Sequence, residues 1–440
     1  MSAEPSFAPE FAFTLNGRPA PAAMRASVTS VRLESGLEGA DRLELALVNE
    51  NLRWLDDPAL QLDGGVRLDL GYAPDPLTRV FDGEIVALAP AFPAGGAPTL
   101  TVTAQDRLRR LQRGTKTRWF AVPVVRVGQF PMSDLTVASL VALEHGLVPA
   151  FEPVGASLAA LLGGVEVVLA VRDPDAAQRI IRKQSAESDH DFLRRIAAEN
   201  GWELTVDHTG PLGGSTLRFF SATNHLTPDV TLRWGASLLG FTPRISTVGQ
   251  VLAVEARVWV PQIRTEFTVR VGWDWDRGSL EISVVPSFGA PAASATLPNP
   301  GLSGTGHGLT ERAALRARRQ TERRDLRLQK PSGSGPSVTL LDRPVTPATA
   351  PRVILGTLVP LLNRRLTATG STIGDTRIRA GTVLQVEGVG RQFGGLYRVT
   401  QATHTVDSGG YRTSFEARKE IWFGSIPLPA QGANPVRVPT

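Results

Sequence analysis

A chain of 440 residues, 42% hydrophobic and 20% charged, is long enough for roughly two to four domains, each with its own core. Its 43 glycines and 33 prolines argue for many turns and against helical solenoids and coiled coils, and the lack of any cysteine excludes disulfide staples and thiolate zinc sites. The formal net charge is +5, with most of the excess within residues 311–327.

The opening residues, MSAEPSFAPEFAF, have neither a basic start nor a continuous apolar stretch. No export signal is read there, and synthesis and assembly in the cytoplasm are expected. Strand patterns follow. DRLELALVN (41–49) sets Leu43, Leu45 and Leu47 on one face, and VRLDLGY (66–72) and TLTVTAQD (99–106) alternate likewise. Such period-two runs between turn residues are half-buried strands. Residues 10–107 read as a small antiparallel barrel or sandwich within a first domain of 1–115.

SDLTVASLVALEHGL (133–147) reads as a helix capped by Ser133 and ended by Gly146. In ASLAALLGGVEVVLAV (156–171), Gly163, Gly164 and Glu166 break the apolar run short of the ~18–20 residues a spanning helix needs. A buried helix–strand pair is expected there, with no membrane anchor. SAESDHDFLRRIAAENGWEL (185–204) places Asp189, His190 and Asp191 side by side. Neighbours on a helix point about 100° apart, so the three do not converge on one ion. Ser188 with Asp191 approximates a capping box, the acids favour the helix dipole, and Phe192, Leu193, Ile196 and Ala197 form the buried stripe up to Gly201. The stretch reads as a helix start. His145, His208, His225, His307 and His404 are scattered, without zinc-like spacing.

Strand-rich segments return at 231–273. Residues 286–308 and 331–352 are rich in Pro, Gly, Ser and Ala and read as loops. Between them, ERAALRARRQTERRDLR (311–327) holds seven arginines against three acids and is expected to be helical. Arg312, Arg316, Arg319, Arg323 and Arg327 are the candidate contacts to a polyanion or partner. The other reading is a solvated helix with pairs such as Arg318–Glu322. The last strands lie at 381–422, and 425–440 reads as an extended tail.

One internal similarity organises the chain. Residues 64–107 and 380–419 each show a strand ending at a Gly (Gly71, Gly388), then Phe-x-Gly (Phe81 and Gly83; Phe393 and Gly395). Each then has a Gly-Gly turn (Gly95-Gly96; Gly409-Gly410) and an alternating strand closing on Ala and a basic residue (Ala104 and Arg107; Ala417 and Arg418). Two copies of one β module follow from this, the second interrupted by the Arg-rich insertion. EGVGRQFGG (387–395) has the wrong spacing for a dinucleotide loop and precedes a strand, not a helix. There is no G-x-S-x-G elbow and no phosphate-binding P-loop. No catalytic, cofactor-binding or metal-binding residue is nominated, and no cofactor is expected.

SAESDHDFLRRIAAENGWEL, SDLTVASLVALEHGL and RIRAGTVLQVEGVGRQFGGLYRVTQATHTVDSGGYRTSFEARK resemble segments of baseplate hub proteins of contractile injection systems, the family of phage late control protein D, T4-type tail hubs and the N-terminal part of VgrG spikes. The resemblance spans about 10–422 and implies a mainly β fold with α+β insertions: two tube-like antiparallel β-barrel domains per chain joined by a small α/β region. The expected partition is 1–115 first barrel, 116–228 α/β region with helices near 133–146 and 188–200, 229–285 with 353–424 second barrel, 286–352 insertion, and 425–440 tail. It further implies a homotrimer whose six barrels match a six-fold inner tube or tube-adaptor protein on one face and a three-fold spike on the other, within a baseplate of wedge proteins in a virion tail or tail-like particle. No OB-fold, β-helical needle or lysozyme segment follows the second module, so the spike is expected to be a separate protein. A nucleic-acid-contacting tail protein acting through the arginines, and a tail-associated hydrolase, are the alternatives.

Overall fold

Alternating side chains turn most of this chain into strands. In the computed structural model, residues 8–124, 128–153, 181–246, 253–260, 265–274, 279–286, 293–298, 337–340 and 350–423 are described. The first part runs β1 (Ala8–Leu15), β2 (Arg18–Pro19), α1 (Ala22–Ser27), β3 (Val28–Gly36), β4 (Arg42–Val48), β5 (Gly65–Ala73), β6 (Thr78–Ala91) and β7 (Thr99–Asp106). Leu43, Leu45 and Leu47 are buried on one face of β4, while Arg42 and Glu44 pair at 2.5 Å on the other. α1 lies against β3 and β4 and sends its buried Met24 into the same core.

The middle part holds β8 (Lys116–Val124), β9 (Gly128–Pro131), α2 (Asp134–Glu144), β10 (Val148–Phe151), β11 (Arg182–Glu187), α3 (Asp189–Glu199), β12 (Trp202–Asp207) and β13 (Thr216–Ser221). The sheets β10-β13-β12 and β11-β8-β9 enclose a core with both helices. Phe192, Leu193, Ile196 and Ala197 of α3 are its buried stripe.

Then come β14 (Val230–Arg233), β15 (Leu238–Ile245), β16 (Ala253–Val260), β17 (Thr265–Asp274), β18 (Ser279–Pro286), β19 (Ala293–Pro298), β20 (Ser337–Leu340), α4 (Ala350–Asn363), β21 (Leu366–Ile373), β22 (Val383–Glu387), α5 (Gly390–Phe393), β23 (Gly395–Asp407) and β24 (Gly410–Arg418). β16–β20 form a separate sheet, ordered β19-β18-β17-β16-β20. Val254, Ala256, Val269, Val271 and Trp273 there pack on Ile354, Leu355, Leu358 and Leu362 of α4. The segment 253–285, assigned from sequence to the second module, thus has a core of its own. β19 and β20 also lie in stretches read as loops; both are edge strands, where few large side chains are needed.

The two β modules are built alike. In the first, the pairings are β1·β5, β5·β6, β6·β7, β7·β4 and β4·β3; in the second they are β14·β22, β22·β23, β23·β24, β24·β21 and β21·β15. The corresponding strands occur in the same chain order. Irregularities recur in register: between Ile85 and Ala87 as between Val399 and Gln401, and between Val28 and Ser30 as between Leu238 and Gly240. Ala104 and Ala417, matched in the sequence, take the same place. The Phe-x-Gly match does not hold: with Ile85 and Val399 opposite those alanines, Phe81 corresponds to Gly395 and Gly83 to Tyr397, and Phe393 ends a short helix before β23. One pairing differs in direction: β1·β5 is antiparallel and β14·β22 parallel.

The modules join because β3 pairs antiparallel with the C-terminal half of β23. A 13-stranded sheet, largely antiparallel, results among the described residues. The closed barrels expected from the sequence are not drawn by strand pairing within this chain. In the described ladders neither module's end strands meet, and the inner edge of β23 is taken by β3 of the other module.

Candidate functional site

The residues singled out in the sequence fall in different places. Arg312, Arg316, Arg319, Arg323 and Arg327 lie outside the described residues, as do 156–171 and the tail 425–440. The cap of α3 forms: the Ser188 hydroxyl accepts the Asp191 N–H at 3.1 Å and bonds the Asp191 carboxylate at 2.7 Å.

Asp189 does something the sequence did not announce. It is 2% exposed and turned inward. One carboxylate oxygen accepts from Arg118 at 2.6 Å and Gln184 at 2.9 Å; the other meets Lys116 at 2.8 Å and His145 Nε2 at 2.7 Å. Burial opposes its charge, but these donors, Lys116 foremost, outweigh that and hold its pKa at about 2. Glu144 takes the outer sides of the same cations, 2.7 Å from Lys116 and 2.6 Å from Arg118. Glu144, His145 and Asp189 have metal-ligand chemistry within reach of one another. Each carboxylate oxygen, however, already faces a Lys or Arg cation. The cluster locks β8, the end of α2 and the start of α3 together. Its members come from distant parts of the chain, Arg118 lying 71 residues from Asp189, and an Asp in a first turn looks the same with or without such partners.

A second buried group brings together Asp41, Asp106 and His208. His208 Nδ1 accepts the Asp82 N–H at 3.1 Å, which leaves the ring proton on Nε2 facing Asp41 at 3.0 Å. A metal ion at Nε2 would require that proton to leave, and Nδ1 is not free to carry it. Burial opposes the imidazolium and the Asp41 hydrogen bond favours it, but a second ring proton would meet the Asp82 N–H, so the geometry holds the neutral ring with its proton on Nε2. Burial and the Asp41 charge push Asp106 up to about 7. The adjoining cavity, lined by these residues, measures about 50 Å³, room for a water or two and not for an organic substrate. Physically this is a pin between the middle region and the first module.

A third group pins the middle region to the second module. Arg398 is wholly buried and donates to Glu420 at 2.8 Å and to the carbonyls of Gly381, Ala222 and His225 at 3.0, 2.8 and 2.9 Å. Arg418 bridges Glu420 at 2.8 Å and Glu203 of β12 at 2.5 Å. Among the described residues, the Asp189 cluster therefore braces the middle region internally, and the other two tie that region to one β module each.

What stays open is sheet edge. The C-terminal half of β6 pairs with β7 on one side and, among the described residues, with nothing on the other, and the same holds for the outer side of β15 beyond a single bridge from Leu238 to Trp234. Large apolar side chains are exposed beside both edges, Phe92 at 61% and Leu239 at 52%. Among the described residues no helix is long and apolar enough to cross a membrane.

No protein-family model matches the chain, and no curated protein sequence matches it. Solved structures do. The 43 kDa tail protein of prophage MuSo2 from Shewanella oneidensis superposes with a TM-score of 0.56 at 13% identity, covering 94% of this chain and 99% of that one. The tail protein from Neisseria meningitidis MC58 gives 0.54 at 11% identity, covering 96% and 100%. At such identity the likeness is one of fold, over nearly the full length of both chains.

Proposed function

We propose that this chain is the trimeric central hub of a contractile tail or injection-system baseplate, a mechanical part without enzymatic activity. The observation that carries this is the duplication: six strands in one order, five pairings of which four share their direction, and two in-register bulges, repeated within one chain. Three such chains present six like modules around an axis, which suits a six-fold inner tube or tube-adaptor protein on one face. The same ring keeps true three-fold symmetry for a spike protein on the other, with wedge proteins around it and a lumen through its centre. Phage tail proteins of like fold support the setting. The charge clusters serve this role as ties that resist the load of contraction. Assembly in the cytoplasm into a virion tail or tail-like particle completes the reading. The test is native mass measurement of the purified protein, alone and with its spike, followed by imaging of the ring. Three chains per particle with six like lobes are expected; a single chain under all conditions overturns the proposal.

A further inference from the structure

The junction between the two modules of one chain specifies how one chain meets the next. In register, β3 and β23 pair as Gln401↔Gly36, Ala402↔Ser35, Thr403↔Glu34, His404↔Leu33, Thr405↔Arg32 and Val406↔Val31. The duplication gives each partner a counterpart. Through the bulges, β23 residue 401 corresponds to Ala87 of β6; through the β4 and β21 ladders, β3 residue 33 corresponds to Pro243 of β15. The counterparts of β3 and of the C-terminal half of β23 are the two edges left open.

Resting on the hub reading, we infer that the outer edge of β15 in one chain pairs antiparallel with the C-terminal half of β6 in the next copy, in the register copied from β3·β23. Leu88 then faces Ile245, Pro90 faces Pro243 and Phe92 faces Phe241, while Ala87, Ala89 and Ala91 face Ser246, Arg244 and Thr242. The first set falls on the core side, where Ala402, His404, Val406, Leu33 and Val31 are buried at the internal junction. All six of its side chains are apolar, and Phe92 is 61% exposed in the single chain. The second set falls on the outer side and is small or polar. Leu88, Phe241 and Ile245 already rest partly on their own modules' cores, while Phe92 has no such cover in the single chain.

The prolines fit the same arrangement. Asp106 of β7 donates to Asp41, so alternation turns Leu100 toward β4 and the nitrogen of its partner Pro90 outward. Leu366 of β21 accepts from Lys419, so Pro243, opposite Ala368, also has its nitrogen outward. Neither proline costs its own module a hydrogen bond. Between chains the pair Pro90↔Pro243 has no donor and its rings face each other, so the inter-subunit ladder opens at that pair and is held by Leu88↔Ile245, Phe92↔Phe241 and apolar contact, and prolines on the open edges discourage indiscriminate strand addition beforehand. A head-to-tail contact of this kind forms a ring when its rotation closes.

The chain has no cysteine, so designed disulfides report without background. Ala89↔Arg244 and Ala91↔Thr242 fall at non-hydrogen-bonded positions, whose Cα atoms lie about 4.5 Å apart in an antiparallel ladder, within disulfide reach. The double variants Ala89→Cys/Arg244→Cys and Ala91→Cys/Thr242→Cys are oxidised with copper–phenanthroline and run without reductant. Glu34→Cys/Thr403→Cys tests the internal junction, and Ala87→Cys/Thr242→Cys, out of register, is the negative control. Expected are covalent dimers and trimers from both matched pairs, an intrachain link from the internal pair and single chains from the shifted pair. A native mass of three chains with no link from either matched pair, in variants whose circular dichroism and native mass equal the parent's, overturns this strand pairing and leaves the hub reading standing. A native mass of one chain overturns both.

Discussion

Glu420 is 0% exposed and holds two arginines, Arg398 and Arg418, at 2.8 Å each. Glu420→Gln keeps the shape and an acceptor but removes the charge. Arg398, also 0% exposed, is left with three carbonyls and no anion, and Arg418 with Glu203 alone. Removing one partner of a buried pair costs about 3–5 kcal/mol, because the remaining charge stays desolvated. Arg398→Met strands the three carbonyls of Gly381, Ala222 and His225, and falls in the same range of about 3–5 kcal/mol. Because both single changes break one network, the double variant Arg398→Met/Glu420→Gln is expected to fall short of their sum by about 1–3 kcal/mol. Urea unfolding at neutral pH, followed by far-UV circular dichroism, reads these costs. Burial alone would raise the Glu420 pKa, but Arg398 and then Arg418 outweigh it and hold it below its ordinary 4.5. A depressed acid contributes stability above the unfolded-state value and loses it as pH falls through the folded-state value. The parent therefore loses this contribution in acid, and the Gln variant, lacking it, shows a flatter acid limb. A cost under about 1 kcal/mol for Glu420→Gln, or strictly additive costs in the cycle, would refute the account of Arg398–Glu420–Arg418 as one coupled tie.

Asp106, raised to about 7 by burial and Asp41, has the opposite sign: its contribution is full below the unfolded-state value of 3.8 and lost as pH rises through about 7. Asp106→Asn keeps an acceptor for the Leu108 N–H and is expected to make the urea midpoint less pH-dependent between about pH 5 and 8, exceeding the parent at the upper end; identical pH slopes would contradict this. At Gly83, an added Cβ meets the Gln105 carbonyl oxygen at 2.3 Å and the Phe81 ring at 2.6 Å, so Gly83→Ala is expected to cost at least about 1–3 kcal/mol in thermal or urea unfolding. Gly65→Ala, with no atom within 4 Å, is the matched control, and equal melting of the two variants would count against close packing at the Phe-x-Gly step.

Local chemistry wrote much of this fold into the sequence. Leu43, Leu45 and Leu47 declare a one-sided strand because side chains alternate along any extended backbone. Ser133 and Ser188 announce helix starts because a cap hydroxyl reaches an N–H three residues on, as both do. The repeat was readable in its run of alternating strands, while its residue matches held at Ala104 and Ala417 but not at Phe-x-Gly, where the register sets Gly83 with Tyr397. Other features needed the folded chain. Asp189 reads as a first-turn acid until Arg118 and His145 arrive from 71 and 44 residues away. The strands of 253–285 alternate as a module strand would, and only their packing on α4 gives them a sheet of their own. The edge of β23 is filled by β3 from the far end of the chain, and no periodicity marks which edge a strand will find. Alternation and capping act over a few residues and determine elements; which buried charge meets which, and which edge meets which, depends on burial and desolvation summed across the assembled chain, and that sum exists only once the tertiary structure has formed.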